Sequence, residues 1–198
     1  MVAPEDPDAM VRAAQSGGED AFRWLYRRQQ PALLRYLRVL VGDDAEDVAS
    51  EAWLQIARDL RSFTGDWDGF RGWTATIARH RAMDLLRAQR RRPQAHAPVE
   101  QLVQVSGGDD TADRALELMT TDAAVALIAS LPQEMAEAVM LRVVVGLDAR
   151  STGEILGRQP GAVRTAAYRG LRQLAQRMAQ PRPVPVTSSP SPALKEWR

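Results

Sequence analysis

The sequence predicts an all-α protein: two small helical domains joined by a flexible linker, the second containing a helix-turn-helix. Three observations carry this. Apolar residues recur at three- and four-residue spacing through most of the chain, and strand-like alternation is nearly absent. Periodicity stops from Arg92 to about Asp110, where Pro93, Pro98 and the run Ser106-Gly107-Gly108-Asp109-Asp110 read as linker. The tail from Pro181 places Pro183, Pro185, Pro190 and Pro192 among serines and small residues, a composition that stays disordered. The expected units are an N-terminal segment 1–18, a first module 19–92, a linker 93–112, a second module 113–180 and a disordered tail 181–198.

In chain order, a first helix is expected after the Glu19-Asp20 cap, with Phe22, Leu25 and Tyr26 on one face. Leu33, Leu34, Leu37, Leu40 and Val41 continue its spacing, with Pro31 as a point of kinking or division. Gly42 breaks the pattern, and Asp43 and Asp44 stand as N-cap candidates for the next helix. There Ala45, Val48, Ala49, Ala52, Ile56 and Leu60 form an apolar stripe. The run 64–69 reads as a turn-rich loop, and a further helix carries Phe70, Trp73, Ile77, Ala78 and Leu85 inward. After the linker, helical patterning resumes near Thr111. Leu131-Pro132 opens a helix that Gly146 ends, a short helix runs from Ala149 to Leu156, Gly157 turns the chain, and Pro160 sits in the first turn of the last helix.

Composition excludes several classes of function. The chain of 198 residues is 45% hydrophobic and has a net charge of +1, so globular modules are possible and the total charge identifies no partner. With no cysteine there is no disulfide and no thiolate zinc site, and only His80 and His96 could offer imidazole to a metal. No metal and no cofactor are expected. The acidic, proline-bearing start lacks an apolar signal core, and the longest apolar stretch, Ala138 to Leu147, is far shorter than the roughly 20 residues of a membrane span. A soluble, cytoplasmic protein without membrane insertion is the expectation.

Charge is concentrated where the sum conceals it. Between Arg71 and Arg92 seven arginines face one acid, Asp84, and between Arg158 and Arg177 five arginines face none. Such fields attract phosphate backbones; a solvated charged face is the plainer alternative for either helix taken alone. In the second of these helices Val163, Ala167, Leu171 and Leu174 are expected to face inward, leaving Arg164, Thr165, Tyr168 and Arg169 outward. A short helix, a glycine turn and a second helix offering arginine and hydroxyl groups make a helix-turn-helix for the major groove, with an ordinary helical hairpin as the competitor. Trp67, Phe70 and Trp73 adjoin the first basic helix. Aromatic rings beside arginines suit single-stranded nucleic acid, whose bases stack on them, although Phe70 and Trp73 also have the spacing of core residues.

These residues resemble the bacterial RNA polymerase sigma factors of the small extracytoplasmic-function type, over about 150 of the 198 positions. Ala45-Glu46-Asp47-Val48-Ala49-Ser50-Glu51-Ala52-Trp53 is similar to the family's "AEDLVQEVF", with Ser50 in place of glutamine. The resemblance implies that this helix docks on the polymerase clamp, through Asp47, Val48, Glu51 and Trp53. Trp73 to Arg92 is similar to "WLFTIARNRALDLLRRRRR", with Thr74 and His80 departing from it. It implies that Trp67, Trp73, Arg79, His80, Arg81, Arg87, Arg90 and Arg91 hold the melted −10 element. The stretch from Leu131 to Leu174 is similar to "LP…LR…GLSYEEIAE.LG.S.GTVKSRLHRARRRL", which implies −35 duplex contacts by Arg142, Gln159, Arg164, Thr165, Tyr168 and Arg169. Ser151-Thr152-Gly153 stands where "EIA" is usual, and a glycine inside a helix costs about 1 kcal/mol. Ala166 and Ala167 stand where arginine and leucine are common.

The resemblance thus implies core RNA polymerase and promoter DNA as partners, and the class admits an anti-sigma factor. Two competing readings remain. A stand-alone helix-turn-helix regulator accounts for the second module but leaves the acidic helix and the Trp73–Arg92 segment unused. An enzyme has no support: there is no glycine-rich phosphate loop, no metal-spaced ligand set and no nucleophile–base pair.

Overall fold

The computed structural model describes residues 6–91 and 112–179, the side chains of 112–120 excepted. Among the described residues there are helices and turns and no strand. The tail expected from composition lies outside the described residues, as does the expected linker except for Ala112, which opens a helix.

The first module is built from α1 (Pro7–Gln15), α2 (Glu19–Val41), α3 (Ala45–Asp59) and α4 (Trp67–Arg91). Helix α1 falls in the stretch read as an N-terminal segment. Asp6 caps it, accepting from the Asp8 backbone N–H at 3.0 Å, and Pro7 occupies the first helical position, where no N–H is needed. Its Val11 is fully buried, so α1 is part of the core. Helix α2 begins at Glu19 itself, after Gly18, with no side-chain cap. It runs unbroken through Pro31, which sits on the exposed face, where water can take up the carbonyl left without its partner. Gly42, at φ 60°, ends it. Asp44 closes the 3₁₀ turn Gly42–Asp44 and stands at the N-cap position of α3 as expected, but without a side-chain capping bond.

The apolar stripe of α3 is buried as its spacing requires: Ala45, Val48, Ala49, Ala52, Ile56 and Leu60 all lie in the core. Helix α4 starts within the supposed loop. The Asp66 side chain accepts from the Gly69 N–H at 2.8 Å, and the first turn forms at Trp67. Thr74, a departure from the family pattern, is fully buried and accepts a hydrogen bond from Gln29 Nε2 at 3.2 Å, so its hydroxyl is used inside the core.

The second module comprises α5 (Ala112–Ala129), α6 (Gln133–Val139), a π-helical turn Met140–Val144, α7 (Ala149–Leu156) and α8 (Pro160–Ala179). Asp148 caps α7, its Oδ1 accepting from the Ser151 N–H at 2.7 Å; hydrogen bonding from Ser151 lowers the Asp148 pKa below the usual carboxylate value. Gly157, left-handed at φ 65°, closes α7. A methyl group at Gly153 would lie 2.5 Å from the Arg158 carbonyl oxygen. The helix-interior glycine therefore lets the chain leading into α8 pass close over α7. Gly170 does the same for the α6–α8 crossing, where a methyl would lie 2.8 Å from Val139 Cγ2. Val163, Ala167 and Leu174 face inward as expected, whereas Leu171 is 45% exposed and its neighbour Gly170 takes the inward position.

The two modules pack together. Met140, Leu141, Val145 and Leu147 of the second module join the same apolar cluster as Leu25, Tyr36, Phe70 and Ile77 of the first.

Candidate nucleic-acid interface

On α3, alternation of the helical face decides which side chains a partner can reach. Asp47 and Glu51 are exposed, one turn apart. Val48 and Trp53 are buried in the core, and Trp53 Nε1 donates to Gln30 Oε1 at 2.5 Å. They hold the helix in place rather than presenting it. Leu54, 67% exposed on the turn beyond Glu51, belongs to the outward face and was not singled out in the sequence, because a lone leucine in an amphipathic helix reads as core.

Helix α4 carries its arginines on a scaffold of rings. Trp67 packs against Trp24 and Phe70, each at a centroid distance of 5.7 Å, and Trp73 stacks on Phe63 at 4.9 Å. Both tryptophans are half-buried, so only part of each ring faces water. The guanidinium groups are largely engaged. Arg71 donates to the Val145 carbonyl at 2.9 Å and pairs with Asp68 at 2.6 Å. Arg79 Nε pairs with Glu137 at 2.7 Å, Arg81 makes two bonds to Gln55 Oε1 at 3.1 and 2.8 Å, and Arg87 pairs with Asp84 at 3.0 Å. His80, Arg90 and Arg91 are exposed. Burial lowers the pKa of Arg79, but the hydrogen bond and charge of Glu137 outweigh it, and the guanidinium is held above its ordinary value.

Helix α8 is arranged differently. Arg164, Thr165, Tyr168, Arg169 and Arg172 are all exposed, with Tyr168 at 65%. Among the described residues Arg164, Arg169 and Arg172 make no ion pair or side-chain hydrogen bond. Gln159, just before the helix, is exposed. Arg142, on the preceding π-helical turn, is half-buried and donates to the Leu147 carbonyl at 3.1 Å. The pair α7–α8, with its αL glycine between, presents an arginine- and hydroxyl-bearing face of the second helix, the arrangement that enters a major groove.

No group of three or more His, Cys, Asp or Glu side chains among the described residues could hold a metal ion. No described helix is long and apolar enough to cross a membrane.

The family models of Sigma-70 region 2 and Sigma-70 region 4 match residues 25–92 and 121–174, which are the two modules. The chain is 35% identical over 175 residues to the ECF RNA polymerase sigma factor ShbA of Streptomyces griseus, covering 84% of this chain and 92% of that protein. It is 33% identical over 174 residues to the ECF RNA polymerase sigma factor SigD of Mycobacterium tuberculosis, covering 84% and 81% respectively. In fold it is similar to CnrH as solved in complex with the cytosolic domain of CnrY, with a TM-score of 0.57 at 22% identity, over 87% of this chain and 96% of that one. The motifs on α3, α4 and α8 and the full-length relatives converge, and the chain belongs to the extracytoplasmic-function RNA polymerase sigma factors, initiation factors that act with core RNA polymerase in recognising promoter DNA.

Proposed function

We propose a division of labour among three helices. The outward face of α3, with Asp47, Glu51 and Leu54, docks on core polymerase; Val48 and Trp53 support it from within. Helix α4, with Trp67 and Trp73 at its start and Arg79, His80, Arg81, Arg87, Arg90 and Arg91 along it, holds the −10 element as a melted single strand. Helix α8, with Gln159, Arg164, Thr165, Tyr168 and Arg169, reads the −35 duplex, and Arg142 supports the turn before it. The observation that carries this reading is the unpartnered arginine face of α8 behind a helix-turn-helix, in the same chain as an exposed acidic face on α3.

The protein acts in the cytoplasm as a specificity factor and not as an enzyme, needing neither metal nor cofactor of its own. The reading includes an anti-sigma factor as a regulatory partner contacting both modules.

Run-off transcription with purified core polymerase on a genomic promoter library tests the whole. Transcripts that depend on the protein and share spaced −35 and −10 motifs are the expected result. Arg164→Ala with Arg169→Ala is expected to weaken upstream promoter binding while polymerase association persists. Loss of polymerase binding in that variant contradicts the division of labour. Tight binding of duplex operator DNA by the isolated protein, with no polymerase association, would make it a plain helix-turn-helix regulator.

A further inference from the structure

Glu137 is the one charged residue buried among the described residues, and it lies where the modules meet. Its Oε2 accepts from Arg79 Nε at 2.7 Å and from the Tyr36 hydroxyl at 3.1 Å; its Oε1 accepts from Gln133 Nε2 at 3.2 Å. Arg79 and Tyr36 belong to the first module, Glu137 and Gln133 to the second. Burial, and then the charge of Glu137, push the Tyr36 pKa well above its usual value, so its hydroxyl stays a donor. At the edges of this network Arg71 reaches the Val145 carbonyl, and Arg38 pairs with Asp122 at 3.1 Å.

A carboxylate is an unusual choice for such a place. Desolvating an ion pair costs about as much as its attraction returns, so an apolar side chain would seal the modules at least as firmly. What the charges add is reversibility, because on separation both regain water. They also add a competitor. A phosphate offers a guanidinium the same paired oxygens as a carboxylate, and arginine accepts either. Thr165 and Arg169 of α8 line a cleft of about 590 Å³ together with Arg79 and Glu137, so residues aimed at duplex DNA and at the single strand open onto one shared cleft.

We infer that Glu137 is an internal stand-in for the DNA backbone, latching Arg79 in a closed form of the protein from which DNA phosphate displaces it as the modules part. The displacement rests on the reading of α4 as a DNA-contacting helix; the closed form does not.

The chain has no cysteine, so Glu19→Cys and Gln176→Cys, both at exposed positions, place one dye of a resonance-energy-transfer pair on each module. In that background Glu137→Gln is expected to lower the transfer efficiency. It should also tighten binding of an oligo-dT of about 12 nucleotides, a length within the span of single-strand sites. The gain expected is about tenfold, because apparent affinity scales with the open fraction. Tyr36→Phe removes one hydrogen bond and keeps the ring, so it gives the same changes in smaller measure and decides the matter if Glu137→Gln loses its helical circular dichroism. Unchanged transfer in the folded variants overturns the latch. Opening without tighter oligo-dT binding overturns the competition for Arg79. Run-off transcription by the unsubstituted protein is scored separately: sigma activity without a latch response rejects this inference alone, and a latch response without sigma activity rejects the functional reading alone.

Discussion

Helices α4 and α8 are both rich in arginine, and they use it in opposite ways. In α4 the side chains of Arg71, Arg79, Arg81 and Arg87 are tied to Val145, Glu137, Gln55 and Asp84, and the inner face is anchored by the fully buried Phe70, Ala75 and Ala78. In α8, Arg164, Arg169 and Arg172 stand in solvent, above a thin inner face of Val163, Ala167, Gly170 and Leu174. One helix is a structural member that also carries positive charge; the other holds its charge free in solvent on a light mount. A stretch of arginines thus sets the potential around a helix, while the neighbours that can accept hydrogen bonds decide how much of that potential reaches a ligand.

The comparison can be broken at the mount of α8. Gly153→Ala brings a methyl against backbone, the Arg158 carbonyl, which cannot rotate away. We expect a loss of about 1–3 kcal/mol in chemical denaturation, the range for overpacking, with −35 duplex binding lost while polymerase association through α3 survives. An unchanged denaturation midpoint would mean that the α7–α8 turn has slack the structure does not show.

A smaller effect is expected on α4. Arg81→Ala removes two hydrogen bonds to Gln55 and should cost about 1–2 kcal/mol, detectable as a lower midpoint, because the bond to a charged donor is only partly exposed. If stability is untouched and only single-strand binding falls, then Arg81 belongs to the reading surface and the contrast with α8 narrows.

The smallest effect on stability belongs to α8. Arg164→Ala with Arg169→Ala should leave the midpoint within about 0.5 kcal/mol, as surface changes do. The same variant should flatten the log–log salt dependence of duplex binding by about 0.9 for each phosphate contact removed. A stability loss comparable to that of Arg81→Ala would erase the distinction between the two helices.

Much of this was legible in the chain. The stripe of α3 and the limits of α7 follow from apolar spacing, from Gly157 and from Pro160, all local signals. Helix α1 escaped because nine residues beginning with proline read as an acidic lead-in, and only the burial of Val11 against the first module makes it a helix worth forming. Gly153 looked like a costly departure because its reason, the Arg158 carbonyl, becomes visible only once the chain has turned. Among the candidate site residues, those on α8 were read from local pattern and lie exposed. Val48 and Trp53 share a motif with Asp47 and Glu51, and a motif does not say which of its members face inward. The partners of Arg79 and Arg71 lie in another module, at separations of 58 and 74 residues, beyond the reach of any periodicity.

That distance along the chain has a consequence during synthesis. Arg79 and Glu137 are 58 residues apart, so at about 5–20 residues per second roughly 3–12 s pass between the emergence of the one and of the other. Through that interval the first module is on its own at the ribosome, with Arg79 not yet claimed and the bed for Met140, Leu141 and Leu147 uncovered. The first module therefore meets the cell with that apolar bed uncovered before the residues that fill it exist.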